Sequence, residues 1–215
     1  MAEAVDVLVA LGARRAGLSY LYHSSPFATW GQFKLKPALF PGGWDGFKLC
    51  VDRAQKAGVE IGFHTLSNFI TPNDPIVTPV PDARLAVIGS SPLTTGIDAT
   101  ATQLIVESPD YFQKRTALNT VRIGEELVTF GSISSAAPWT LKDCERGAFG
   151  TRAAAHPAGE AVNRLLDHDY KVFLGDASLS RDIAQSIAAF CNHTGARQLS
   201  FDGLEGNWST GYGQY

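Results

Sequence analysis

A helix-period stripe of apolar residues, then a glycine, then a short apolar run occurs three times along the chain. In residues 45–57 the apolar positions fall on one face of a predicted helix, and Gly58 stands where a left-handed C-terminal cap is expected. Residues 60–64 then read as a buried strand. The same order recurs over residues 2–23 and 180–202. Because short turns from helix to strand are typical of repeated parallel units, the pattern predicts a parallel sheet.

Four apolar runs are predicted to be the strands of that sheet, at about residues 18–23, 60–64, 171–175 and 197–202. A closed (β/α)8 barrel has eight strands and typically about 250 residues. The predicted fold class is therefore α/β, a partial (β/α)8 TIM-type barrel of about four strands. On this interpretation the chain is a fragment that covers roughly the first half of a barrel.

A tract with a different composition and residue pattern separates the second predicted strand from the third. Residues 75–165 are rich in proline, threonine and serine, lack a helical period and contain short β-like runs. We interpret this tract as an inserted all-β subdomain, since lengthening a loop costs little closure entropy. Residues 1–74 and 166–215 would then form the N-terminal half of a catalytic barrel.

The composition is that of an ordinary globular chain, with 45% hydrophobic and 18% charged residues among 215. The net charge of -3 gives no basic surplus for phosphate backbones, so no nucleic-acid partner is predicted. No apolar run approaches membrane-spanning length, so no membrane partner is predicted either. The N-terminus lacks the basic region of a secretory signal, and a secreted or periplasmic location is expected only if that terminus is truncated.

The acidic end of the fourth predicted strand is the leading candidate for chemistry. An apolar run stops abruptly at Asp202 and Gly203, and Glu205 follows in the same loop. Catalytic groups of α/β barrels lie at strand ends, and glycoside cleavage needs two carboxyl groups. We therefore predict Asp202 and Glu205 as catalytic residues. For Asp202 the alternative is a turn-forming or capping role, and for Glu205 it is a hydrogen bond to substrate, with the second carboxylate beyond residue 215.

Polar and aromatic residues near the predicted strand ends are expected to bind a carbohydrate substrate. Aromatic faces stack on sugar rings, while imidazole, amide and carboxylate groups bond hydroxyls. Core packing, or a satisfied polar group at a strand end, is the alternative for each. The predicted substrate-binding residues are His23, His64, Trp30, Trp44, Asn68, Asp176 and Trp208.

Two stretches resemble the α-galactosidase-like glycoside hydrolase barrels. Residues 40–47, FPGGWDGF, precede a helix, and residues 57–65, AGVEIGFHT, follow it, as in the early part of those barrels. In that superfamily an aspartate at the end of a central strand is the nucleophile, and Asp202 resembles it by position. The resemblance implies a hydrolase of poly- or oligosaccharides in which Asp202 is the nucleophile or charge stabiliser.

A second resemblance lies in the predicted insertion. Residues 146–159 carry Arg-Gly, Gly-Thr, His and Gly in the order found in small β modules of phage-tail-like proteins. In those modules the pattern is structural. No activity is expected from it here.

Two other functions fit the sequence. One is a non-catalytic glycan-binding or assembly module whose working surface is the β-rich insertion. The other is a metal-dependent barrel hydrolase in which His23 and His64 join Asp202 as zinc ligands. The chain has no His-x-His pair, and its three cysteines are widely spaced, so no metal or other cofactor is predicted.

Overall fold

The computed structural model describes residues 25–203 and the backbone of residues 20–23, together with four residues near the N-terminus: Glu3, Asp6, Val7 and Ala10. These four are helical, and the rest of the helix predicted from residue 2 to 16 lies outside the described residues. The chain divides into two compact units. We call residues up to 68, with 180–203, the parallel-sheet unit, and residues 69–179 the β-rich unit.

The elements with described bounds are short. In chain order they are β1 (Tyr20–His23), α1 (Gly43–Lys56), β2 (Glu60–Leu66), β3 (Phe69–Ile70), β4 (Val87–Pro92), β5 (Leu104–Val106), β6 (Thr120–Ile123), β7 (Glu126–Thr129), β8 (Ser132–Ile133), β9 (Trp139–Lys142), a 3-10 turn (Ala148–Gly150), β10 (Ala161–Leu165), β11 (Asp167–His168), β12 (Val172–Leu174), α2 (Ala177–Thr194) and β13 (Gln198–Asp202).

The parallel-sheet unit is built on three strands in the order β1-β2-β13, with both pairings parallel. Helix α1 precedes the central strand and buries Phe47, Val51 and Ala54. Gly58 ends this helix at φ 75°, the left-handed conformation that the sequence predicts there. The backbone N–H of Val59 then donates to Ala54 O at 2.9 Å, which turns the chain directly into β2.

Aromatic packing holds the parallel-sheet unit together. The ring of Phe190, on α2, meets Phe27, Phe47 and Phe63 edge to face at centroid distances of 5.7, 5.0 and 5.1 Å. Such pairs contribute about 0.5–1.5 kcal/mol each beyond their buried area. Phe63 lies on the central strand and Phe47 on α1, so this one ring ties both helices to the sheet.

The β-rich unit contains three small sheets, ordered β4-β10-β6-β7, β5-β9-β8 and β11-β12-β3, and all their pairings are antiparallel. Strands β6 and β7 form a hairpin, in which Ile123 pairs with Glu126 across a turn where Gly124 has φ 55°. Apolar side chains from several strands meet in one core. Its members include Leu104, Val106, Val121, Ile123, Val128, Leu141 and Val162.

The predicted partial (β/α)8 barrel is wrong. The described residues form a mixed α/β structure with two helices of described length and four small, mostly antiparallel sheets. The decisive strand is the third, at residues 171–175. There β12 pairs antiparallel with β3 and β11 inside the β-rich unit. Its three consecutive buried apolar residues indicate a buried strand but do not give the direction of the neighbouring strands. The apolar pattern therefore led to a wrong prediction of the sheet topology.

Within the described residues no helix is long and apolar enough to cross a membrane.

A buried ion cluster accounts for Arg146, Gly147 and His156 of the Arg-Gly, Gly-Thr, His, Gly pattern in residues 146–159. The Nε and Nη2 atoms of Arg146 donate to the two carboxylate oxygens of Glu126, at 2.8 Å each. His156 Nε2 lies 2.8 Å from Glu126 Oε2, and the backbone N–H groups of Gly147 and Ala154 donate to the same carboxylate. The pattern therefore clamps its loop onto the start of β7, which is a structural role.

The electrostatics of this cluster favour the ionised carboxylate. Burial acts to raise the pKa of Glu126, but the hydrogen bonds from Arg146 and His156 outweigh it and leave the pKa below its ordinary value. The Glu126 and Arg146 side chains are only 1% and 6% exposed. Removing the charge of Glu126 would leave Arg146 buried without its carboxylate partner.

We predict that Glu126→Gln lowers the free energy of unfolding by about 3–5 kcal/mol, because Arg146 loses its buried partner. Urea denaturation followed by circular dichroism measures the change. The matched control is Asp52→Asn, which breaks the exposed pair between Lys48 and Asp52 at 2.9 Å. That variant is expected to cost about 0.5 kcal/mol or less. Equal losses in the two variants would contradict the role given to Glu126.

The same carboxylate predicts a pH dependence. Because the pKa of Glu126 is lowered on folding, its charge stabilises the fold above the pKa of an unfolded glutamate, about 4.3. This stabilisation is lost as the pH falls further, through the folded pKa. We expect the urea midpoint to decline more steeply below about pH 4.3 in the natural protein than in Glu126→Gln. Parallel curves for both proteins would rule out this contribution.

Candidate functional site

Three polar side chains share one face of the parallel sheet near its carboxyl edge. Ser200 on β13 is the register partner of His64 on β2, and Asp202 lies two residues further along β13. Because strand side chains alternate between faces, Ser200 and Asp202 project to the same side. His64 Nδ1 is 3.3 Å from Ser200 Oγ, and His64 Nε2 is 3.8 Å from Asp202 Oδ2. The imidazole therefore lies between a hydroxyl and a carboxylate.

The backbone around Asp202 is held on both sides. The N–H of Ser67 donates to Asp202 O at 2.9 Å, which continues the pairing of β2 with β13 past the end of β2. The side-chain amide of Asn68 donates to Gly203 O at 3.4 Å. Gly203 has φ 74° and donates its N–H to Asp202 Oδ1 at 2.8 Å. Predicted residues Asn68 and Asp202 are thus brought to the same strand end.

The two carboxylate oxygens of Asp202 have different surroundings. Oδ1 accepts the hydrogen bond from the N–H of Gly203, while Oδ2 is the oxygen nearest to His64. The side chain of Asp202 is 61% exposed, and that of His64 is 24% exposed. A solvent-open carboxylate beside an imidazole can stabilise positive charge, exchange protons and bond hydroxyl groups. The hydrogen bond from Gly203 involves only Oδ1, so Oδ2 can still interact with a ligand.

Three predicted site residues cannot be placed by their side chains. Glu205 and Trp208 lie outside the described residues, and for His23 only the backbone is described. The backbone of His23 ends β1 and pairs in register with Phe63 of β2. Their predicted roles stay predictions.

The two other predicted tryptophans of the parallel-sheet unit have different settings. Trp44, in the first turn of α1, is 39% exposed, and its ring packs against Phe190 and His193 of α2. His193 Nε2 in turn lies 2.7 Å from Asp45 Oδ1. Trp44 thus has a helix-packing role that is independent of any substrate. Trp30 lies half-buried in the connection between β1 and α1.

Asp176 has a clear structural role in the β-rich unit. It directly precedes α2, and its Oδ1 accepts a hydrogen bond from the backbone N–H of Leu179 at 2.8 Å. This is the geometry of an N-terminal helix cap, in which the side chain satisfies a free N–H of the first turn. The cap accounts for the aspartate without a substrate.

The described residues contain no group of three or more His, Cys, Asp or Glu side chains able to hold a metal ion. His64 and Asp202 supply two such groups, so a metal site there needs a ligand from elsewhere. All three cysteines are free thiols. Burial raises the pKa of Cys144 to about 12, which keeps this thiol protonated and makes it a poor metal ligand or nucleophile.

Sequence reasoning missed Ser200 as a partner of His64. The available signal was its spacing of two residues from Asp202, which places both on one face of a strand. Pairing with His64 depends on the strand register, which the residue pattern alone does not give.

The chain matches no protein-family model and no curated protein sequence. The likeness to α-galactosidase-like barrels therefore stays a resemblance.

Asp176 can be tested as a cap by comparing two substitutions. We predict that Asp176→Ala lowers the free energy of unfolding by about 1 kcal/mol, because the N–H of Leu179 loses its acceptor. Asp176→Asn keeps a side-chain oxygen and should change stability by only about a few tenths of a kcal/mol. Urea denaturation distinguishes them. If asparagine destabilises as much as alanine, the cap is not the main role of this residue.

Proposed function

We propose that this chain carries a glycoside hydrolase site at the carboxyl edge of its parallel sheet, acting on a poly- or oligosaccharide. The observation that supports this most directly is the Asp202 carboxylate at the end of β13, open to solvent and 3.8 Å from His64. A glycosidase needs an ionised carboxylate next to the sugar ring, because its transition state resembles an oxocarbenium ion.

In this proposal Asp202 is the nucleophile or the charge stabiliser. The hydrogen bond from Gly203 fixes one of its oxygens and so orients the carboxylate, leaving Oδ2 to face the reacting carbon. His64 and Asn68 bond sugar hydroxyls beside it. Orientation of this kind lowers the entropic cost of reaching the transition state.

The mechanism needs a second carboxyl group. Glu205 lies three residues beyond Asp202 and is the nearest carboxylate along the chain, and the alternative is a residue further on. A separation of about 5–5.5 Å between the two groups gives retention of configuration, and about 6.5–9.5 Å gives inversion. Retention would leave a covalent glycosyl intermediate on Asp202.

A non-catalytic glycan-binding or assembly role is the second candidate. It is favoured by a polar cleft in the β-rich unit, which lies among residues that take no part in the Asp202 cluster. A metal-dependent hydrolase is the remaining candidate. It needs a third ligand beside His64 and Asp202, and the side chain of His23, the predicted one, lies outside the described residues.

We predict that Asp202→Asn lowers the rate of glycoside hydrolysis at least about a hundredfold, because the amide cannot carry the stabilising charge. Release of reducing ends from starch, cellulose, xylan, galactan and mannan oligosaccharides measures the activity. Stability should be nearly unchanged, since the side chain is exposed and asparagine can still accept the N–H of Gly203.

The matched control is Asp169→Asn, an exposed carboxylate of the β-rich unit. It should leave hydrolysis unchanged. An Asp202→Asn protein with the turnover of the natural chain would refute the proposed site.

A further inference from the structure

An open polar cleft of about 470 Å³ lies within the β-rich unit. Its walls are residues 115–119, residues 129–131, the acidic pair Asp143 and Glu145, and the side chains of Phe149 and Lys171. This volume falls within the range of about 300–1,000 Å³ that is typical of small-ligand sites. We call it the β-rich cleft.

Backbone strain is concentrated around the β-rich cleft. Five non-glycine residues of the described chain have positive φ, and four of them line it: Asn119 at 49°, Asp143 at 55°, Phe149 at 58° and Lys171 at 58°. Asn and Asp adopt this conformation readily, but a bulky Phe does so at a real cost. Strain of this kind persists where the surrounding contacts impose it, and it is frequent at binding sites.

The floor of the cleft is fixed by a fully buried arginine. Arg164 donates to Thr116 Oγ1 at 2.7 Å and to Asn119 Oδ1 at 2.8 Å, and its guanidinium lies 4.9 Å from the centre of the Phe130 ring. Asp167 Oδ2 accepts hydrogen bonds from Thr116 Oγ1 and from the backbone N–H groups of Leu118 and Asn119. The segment 116–119 is therefore rigidly positioned before any ligand arrives, which reduces the ordering cost of binding.

The rim carries charges of both signs. Arg115, Lys171 and Asp143 are exposed, and among the described residues none of the three has an ion-pair partner. Glu145 accepts one hydrogen bond, from Thr129 Oγ1 at 3.2 Å. An anionic ligand would be repelled by the two carboxylates, and a cationic ligand by the arginine and lysine. The charge pattern therefore favours a ligand without net charge.

A sugar is the uncharged ligand that such a rim suits best. Carboxylates only accept hydrogen bonds, whereas guanidinium and ammonium groups only donate them, and each sugar hydroxyl does both. Phe149 is half-buried with its ring edge to face on Phe173 at 5.5 Å, so the exposed part of the ring can contact the C–H face of a sugar. We propose that the β-rich cleft binds a neutral saccharide through Arg115, Asp143, Glu145, Phe149 and Lys171. This site does not depend on hydrolysis at Asp202.

The test uses the full chain, with malto-, cello-, xylo-, galacto- and manno-tetraose as neutral probes. Tri-galacturonate and a glucosamine trimer serve as anionic and cationic comparators. Binding is measured by titration calorimetry and mapped by backbone NMR shifts. We expect at least one neutral probe to bind, with the largest shifts in residues 115–119, 129–131 and 143–149. Both Arg115→Ala and Asp143→Asn should weaken it about tenfold, since each removes a charged hydrogen-bonding group.

Two matched controls distinguish the loss of a side chain in the cleft from a change in the net charge of the protein. Lys114→Ala removes the cation next to Arg115, and Asp110→Asn removes another exposed carboxylate, yet neither residue lines the cleft. Both should bind as the natural chain does, and all four variants should keep its unfolding midpoint. Asp202→Asn should keep the NMR shifts of the cleft residues, so failure of the hydrolase proposal would leave this one standing.

Four results would overturn the proposal. The first is that no neutral probe binds at millimolar concentration. The second is that a charged comparator binds more tightly than every neutral probe. The third is that Arg115→Ala and Asp143→Asn bind as tightly as their controls. The fourth is that no probe shifts the signals of the residues that line the cleft.

Discussion

The β-rich unit depends on the burial of one arginine. Arg164 is fully buried, and although burial lowers its pKa to about 10, it stays charged at neutral pH. A buried cation must be surrounded by acceptors, and most of those it uses are in residues 114–120: the carbonyls of Lys114 and Thr120, and the side chains of Thr116 and Asn119. These hydrogen bonds fix the conformation of residues 114–119, which have no regular secondary structure.

Glu126 fixes a second irregular region in the same way with the charges reversed. A buried carboxylate there collects two side chains and two backbone N–H groups from residues 146–156. The strands of this unit run from two to six residues, too short to specify long connections by sheet pairing alone. Buried ions supply that specification, because every misplaced loop would leave a charge unsatisfied. This explains how a unit poor in regular structure can build a cleft with a defined floor.

Local features could be predicted from the sequence, whereas pairing between distant segments could not. Gly58 and the turn at Gly124 follow from backbone rules that act within a few residues. The burial of β12 followed from its apolar run. Its neighbour β11 is local, but its other neighbour, β3, lies about a hundred residues away, and no local pattern encodes that pairing. Arg164 carried no signal at all, since a single arginine in a short strand is normally expected at the surface.

Asp202 shows why the structural and functional interpretations of a strand-end aspartate are compatible. The local hydrogen bond from the N–H of Gly203 needs only one oxygen, Oδ1. Because a carboxylate is planar, fixing Oδ1 also fixes the direction of Oδ2, which then faces His64 from an exposed position. The structural hydrogen bond is therefore also what orients the second oxygen. A carboxylate held only by packing would lack this orientation, and one with both oxygens in structural hydrogen bonds would have none left for a substrate.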